Sequence, residues 1–256
     1  MLSLNFLEKN YKRYNMPEFL HPDPLEFVLK YSKQSDMETA GLIASSLAYG
    51  NVKQILKSVE AVLSVMGRSP AQFLLRTGDG DIKNAFCGFR HRFTAGNELC
   101  LFLINLKNVF KRHGSVEKLF LKTYCHADAT IEETIYRFAR AINPKNAAAT
   151  LVPDPDKKSS FKRLNLFLRW MVRKDSVDPG VWTGIPPSKL IVPLDTHMHK
   201  TAVQLGLTSR KDAGMRTALE ITAGFAAINP RDPVKYDFAL TRIGILKIKN
   251  GGIYVP

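Results

Sequence analysis

A basic helix carrying Lys162 and an acid, Asp195, at the mouth of a later helix 33 positions on could together form a site in this 256-residue chain. A lysine amine becomes a nucleophile when it gives up its proton, and a carboxylate nearby can stabilise positive charge on a reacting sugar. Around the lysine, Phe161, Leu164, Phe167, Leu168, Met171 and Val172 recur at helical spacing. They share one side of a helix over 161–173, and Lys162, Arg169 and Arg173 line the other. That basic side fits two descriptions: the solvated back of a core helix, or a face turned to phosphates. Asp195 follows Pro193 and opens an apolar-periodic run that closes at Gly206. It therefore stands where an N-cap would, accepting from a free helix N–H. Capping and chemistry are compatible, because a cap fixes the side chain that would react. Between the two helices lies a loop broken by Pro179, Gly180, Gly184, Pro186, Pro187 and Pro193.

A second cluster is FCGFRHRFTAGNE, in which Phe86, Phe89 and Phe93 interleave with Arg90, His91 and Arg92. Aromatics among arginines suit a clamp on a base or strand, and equally a loop pinned to the core with its arginines in water. Phe89, Trp170 and Trp182 are the candidates to stack on a base, with core packing as the competing role. His197 and His199, two apart on a helix, diverge by about 200° and make a poor metal pair. Cys87, Cys100 and Cys125 are odd in number, widely spaced and lack a Cys-x-x-Cys pair, which argues against a zinc or iron–sulfur site. No metal and no cofactor is expected.

Charge narrows the partner. Lys and Arg number 37 against 23 Asp and Glu, a net charge of +14, which favours a polyanion. No apolar run approaches the roughly 20 residues that span a bilayer. The N-terminus carries charges throughout rather than a long apolar core. The chain is therefore expected to be cytoplasmic, with no membrane partner and a monomer favoured.

The elements that must position these groups read as helices. Asp23 caps one from Pro24. Ser35 to Glu38 outlines a capping box for the next, whose Ala40, Gly41, Ala44, Ser45 and Ala48 admit a close neighbour. Helices follow from Asn51, Ser69, Asn97, Ser115 and Thr130. Ser209 caps one over 211–227, and Asp232 caps the last over 234–246. RTGDGD reads as a loop, residues 143–160 as a mobile loop, and 247–256 as a loose basic tail. No stretch sustains the alternation of a sheet, so the chain is all-α.

A lysine on a helix, a Gly/Pro-rich loop and Pro-Leu-Asp opening the next helix resemble the helix-hairpin-helix, Gly/Pro-Asp superfamily of DNA glycosylases. The long Lys–Asp spacing is similar to its archaeal 8-oxoguanine DNA glycosylase branch. KRLNLFLRWMVR, VDPGVW, PLDTH and DPVKYDFALTRIGI more closely resemble an uncharacterised bacterial family distantly related to that branch, from about Pro22 to Ile245. The resemblance implies a two-subdomain helix-hairpin-helix glycosylase-like fold over 1–256, the N-terminal segment returning to pack with the C-terminal helices. It implies an N-glycosylase, with or without an AP-lyase step, that removes an oxidised purine such as 8-oxoguanine from DNA. Lys162 would be the nucleophile and Asp195 the charge stabiliser. Arg163, Arg169, Arg173, Lys174, His197 and Lys200, with Arg90 and Arg92, would hold the nucleic acid; the charge suits RNA as well. The chain departs from the superfamily before the lysine. LVPDPDKKSSFKR has none of the usual hairpin glycines, and it offers Lys157 and Lys158 as neighbouring amines. The alternative is a non-catalytic nucleic-acid-binding protein on the same fold.

Overall fold

Apolar residues at helical spacing run through most of the chain, and the computed structural model is helical accordingly. It describes residues 4–157 and 159–250, with side chains as far as Ile243. The helices of the first half are α1 (Leu4–Tyr14), α2 (Leu25–Val28), α3 (Gln34–Ser46), α4 (Val52–Met66), α5 (Pro70–Arg76) and α6 (Asp79–Phe86). A hairpin of β1 (Arg90–His91) and β2 (Thr94–Ala95) precedes α7 (Gly96–His113), α8 (Val116–Thr123) and α9 (Glu132–Ile142). Then come α10 (Lys162–Val172), α11 (Thr196–Gln204), α12 (Met215–Ala226) and α13 (Asp237–Asn250). The chain is thus all-α but for one two-stranded sheet among the described residues. Two compact units divide it. One comprises Met1–Leu20, Ala129–Ile131 and Lys158–Pro256; the other comprises His21–Asp128 and Glu132–Lys157.

In the second of these, α3 is buried from Asp36 to Ser46. Its acids do not form the expected capping box. Asp36 accepts from the Ser69 hydroxyl at 2.8 Å and the Ala71 N–H at 3.0 Å, at the start of α5. Glu38 accepts from the N–H groups of Val116 and Glu117 at 2.9 and 3.1 Å, at the start of α8. Buried carboxylates need donors, and the open N–H groups of helix N-termini supply them. RTGDGD likewise departs from expectation: α6 begins inside it, with Asp79 and Asp81 in its first turn, where the helix dipole favours negative charge. The expected loop over 143–160 is turns in its described residues and is anchored to the core. Ala148, Leu151 and Val152 are fully buried, and the Asn143 side chain accepts from the Ala148 N–H.

In the other unit α1 joins the turn ahead of α13. Glu8 accepts from the Lys235 ammonium at 2.7 Å and the Tyr236 hydroxyl at 2.6 Å, and these two hydrogen bonds hold its carboxyl below the usual range. The Tyr11 and Tyr236 rings meet edge to face. Three boundaries differ from the sequence reading. α12 starts at Met215, after Gly214 rather than Ser209. α13 starts at Asp237, because Asp232 is drawn to an arginine instead of capping. It also continues to Asn250, where the expected loose tail would have begun at 247, since no breaker intervenes before Gly251. Residues 1–3, Lys158 and 251–256, the last two from the expected lysine neighbours and tail, lie outside the described residues.

Candidate active site

α10 forms because its apolar stripe buries Leu164, Phe167, Leu168 and Met171, leaving Lys162 at its first position. α11 forms because Asp195 caps it, accepting the Met198 N–H through Oδ1 at 2.8 Å. The two helix starts meet. The Lys162 ammonium lies 3.4 Å from Asp195 Oδ2, and Ser160 donates to the Leu194 carbonyl at 3.3 Å. One carboxylate oxygen is thereby spent on the helix, and the other is aimed at the amine. The pair stays partly open, with 32% of the lysine side chain and 22% of the aspartate exposed. A reactive amine needs that balance of restraint and access.

The loop between the helices closes the far end of α10. The Gly180 and Trp182 N–H groups donate to the Trp170 and Met171 carbonyls at 3.1 and 2.7 Å, satisfying groups that a helix C-terminus leaves open. Gly180 has φ +53, and a Cβ there would stand 2.4 Å from the Arg173 carbonyl oxygen, so only glycine permits this return.

That return buries the expected basic face, and four site assignments are corrected by it. Arg169 and Arg173 do not face phosphates; they are 2% and 3% exposed. Asp178 is clamped by both, Arg169 also meets Asp237, and Arg173 reaches Asp175 and Asp232. A guanidinium enters a protein interior only with carboxylates around it. Trp170 and Trp182 are not base platforms: both are buried, and Trp182 packs edge-on against Phe167. The carboxylates respond to the setting. Burial pushes Asp237 up to about 6 against the pull of Arg169, and the charges of Asp195 and Asp178 push the same way. Burial also acts on Asp175, but Arg173 and the N–H groups of Val177 and Asp178 hold its carboxyl below the usual range. Tyr11, which donates to Asp175 at 3.0 Å, is pushed up to about 12 by burial and that charge. Asp178 was missed as a member of this cluster. The available signal was the acids at 175, 178, 232 and 237, enough to match two buried arginines.

Of the other assigned residues, Lys174 and Lys200 are exposed, and Arg163 and His197 are partly so, all in the unit that holds the Lys–Asp pair. Phe89, half-buried, and Arg90 and Arg92, both exposed, belong to the other unit. The segment before Lys162 is turns: no helix forms in the described residues of 143–161. Among the described residues no group of three His, Cys, Asp or Glu side chains is placed to hold a metal ion. None of the described helices is long and apolar enough to cross a membrane.

Fold and site together define an all-helical protein with a lysine–carboxylate pair held where two helices begin. The chain belongs to the family described as "Protein of unknown function (DUF2400)", whose model matches residues 23–246. No curated protein and no solved structure matches it.

Proposed function

We propose that the protein is a DNA N-glycosylase of the helix-hairpin-helix type, nearest the archaeal 8-oxoguanine branch, with Lys162 as nucleophile and Asp195 as its carboxylate. The supporting observation is the 3.4 Å approach of these side chains at the N-termini of α10 and α11. Two helix starts and a lysine suit the phosphates that flank a target nucleotide. Exposed Lys174 and Lys200, with the part-buried Arg163 and His197, add sequence-independent grip.

The chemistry then has defined roles. The part-exposed Lys162 ammonium gives a proton to water, so that Asp195 keeps its charge. The freed lone pair attacks the anomeric carbon of an extruded nucleotide, the glycosidic bond breaks, and its electrons leave with the base, which picks up a proton. The carboxylate stabilises the positive charge that builds on the sugar meanwhile. Ring opening gives a Schiff base on Lys162, from which elimination can cut the strand. An oxidised purine such as 8-oxoguanine is the proposed base.

Borohydride trapping tests this on duplexes with 8-oxoguanine, uracil or an abasic site, and on an RNA strand. An adduct with wild type on 8-oxoguanine that disappears in Lys162→Gln is the expected result. An adduct that survives Lys162→Gln would assign the nucleophile to another lysine. No adduct and no base release, with salt-sensitive binding retained, would leave the second reading, a non-catalytic binder. That reading draws on the segment before α10, which has turns and two aspartates where a glycine hairpin would approach phosphate.

A further inference from the structure

The hairpin of β1 and β2 lies in the unit that does not hold the Lys–Asp pair, and its turn is Arg92–Phe93. Its base is fastened with unusual completeness. His91 and Thr94, the last paired residues before the turn, are both 0% exposed. His91 Nε2 donates to the Tyr49 carbonyl at 3.2 Å, which leaves Nδ1 to accept from the Ser58 hydroxyl at 2.9 Å. The Tyr49 hydroxyl donates to the His91 carbonyl at 2.9 Å and meets the Thr94 hydroxyl at 2.6 Å; Thr94 in turn meets Thr150 at 2.7 Å. A buried polar chain of this kind rigidifies what it holds.

The tip above it is the reverse of a buried hairpin end. Phe93 is 76% exposed, the highest value of any large apolar side chain described. Arg92 sits at φ +51, a left-handed conformation costly for any residue but glycine. Its side chain crosses Gly50, where a Cβ would come within 2.6 Å of Arg92 Cδ, and its guanidinium lies 5.4 Å from the Phe93 ring centre. Gly50, Arg92 and Phe93 thus form a short stack that ends in a bare aromatic face. Arg90 is exposed beside it, and α4, which packs on β1, brings the exposed Lys53 in its first turn. A solvent-facing ring beside an arginine, on a locked base, is the mark of a contact element.

We propose that the Arg92–Phe93 tip is a stacking wedge for DNA, in which the Phe93 ring enters an interrupted base stack while Arg90 and Arg92 hold the flanking phosphates. Every base offers a π-face to such a ring, and the net charge of +14 draws the polyanion in. The proposal shares with the proposed function only its DNA partner; it needs no chemistry at Lys162.

The test is a duplex with an abasic site next to 2-aminopurine, read by fluorescence anisotropy and by 2-aminopurine emission, beside an intact duplex of the same sequence. Wild type should bind the interrupted duplex more tightly and change its emission. Phe93→Ala should weaken that binding roughly 5- to 150-fold, the span of one lost base–aromatic stack, and abolish the emission change. It should leave the intact duplex nearly unaffected, and Phe93→Trp should restore both signals. Because Phe93 is exposed, Phe93→Ala should keep the wild-type circular dichroism spectrum and melting temperature. Gly50→Ala, which displaces Arg92, should lie between the two. Equal losses on both duplexes, or wild-type signals from Phe93→Ala, would overturn the wedge. So would Phe93-dependent binding to vesicles of mixed anionic and zwitterionic lipid with none to DNA. If trapping and base release both fail on every lesion while the Phe93 signals persist, the glycosylase reading falls and the wedge stands.

Discussion

Asp195 does two jobs through two oxygens, and substitution can part them. Oδ1 accepts the Met198 N–H at 2.8 Å, and Oδ2 faces Lys162 at 3.4 Å. Asp195→Ala removes both functions. Asp195→Asn keeps an amide oxygen able to cap and removes only the charge. The lost cap is worth about 1 kcal/mol. The ion pair is partly solvated and worth about 0–1 kcal/mol, and the charge at a helix start adds about 0.3–1 kcal/mol. The alanine variant should therefore be about 1 kcal/mol less stable than the asparagine variant, which for a chain of this size lowers the melting temperature by about 2–4 °C more. In single-turnover base release both variants should fall by a factor of roughly 100 or more, because the electrostatic contribution leaves with the charge. Calorimetry and the release assay on the same preparations separate the roles. Equal melting temperatures for the two variants would refute the capping argument, and a fully active asparagine variant would refute the charge argument.

The buried cluster makes two further predictions. Asp178→Ala strips the shared partner from Arg169 and Arg173 and should cost about 3–5 kcal/mol in urea denaturation; a loss under about 1 kcal/mol would mean the arginines do not need it. Asp237 has a folded value near 6, above its ordinary 3.8, so the folded protein binds that proton more tightly and gains stability from it as pH falls. Between pH 7 and pH 5 this group alone should add about 1 kcal/mol in favour of folding. Wild type and Asp237→Asn, melted at both pH values, should differ in pH slope by that amount, and identical slopes would contradict it.

How much of this was legible in the sequence depends on which groups an argument needed. Asp195 as a cap, the helix starts at Asn51 and Ser115, and the apolar stripe of α10 all follow from residues within one helical turn, so local spacing exposed them. The aspartate and glutamate of α3 look like a local capping box on the same evidence, yet they serve α5 and α8, 33 and 78 positions away. The first turn of α10 kept its exposed lysine, but the arginines two and three turns on went inside. Nothing in the wheel distinguishes them. What distinguishes them is the arrival of Asp178 from the returning loop and of Asp237 from the last helix. Phe89 and Phe93 read alike in sequence, and only the register of β1 on β2 sends Phe93 to an exposed turn.

The sequence by itself determined the helical class, the basic charge and the start of α11 at Asp195, because period, composition and capping act over a few residues. Tertiary structure alone decided that Lys162 and Asp195 meet, that Arg169 and Arg173 are structural, and that Phe93 stands bare on a locked hairpin. Burial of a charge, and the choice of its partner, depend on what the rest of the chain brings to within a few ångströms, and that is a property of the fold rather than of any window of residues.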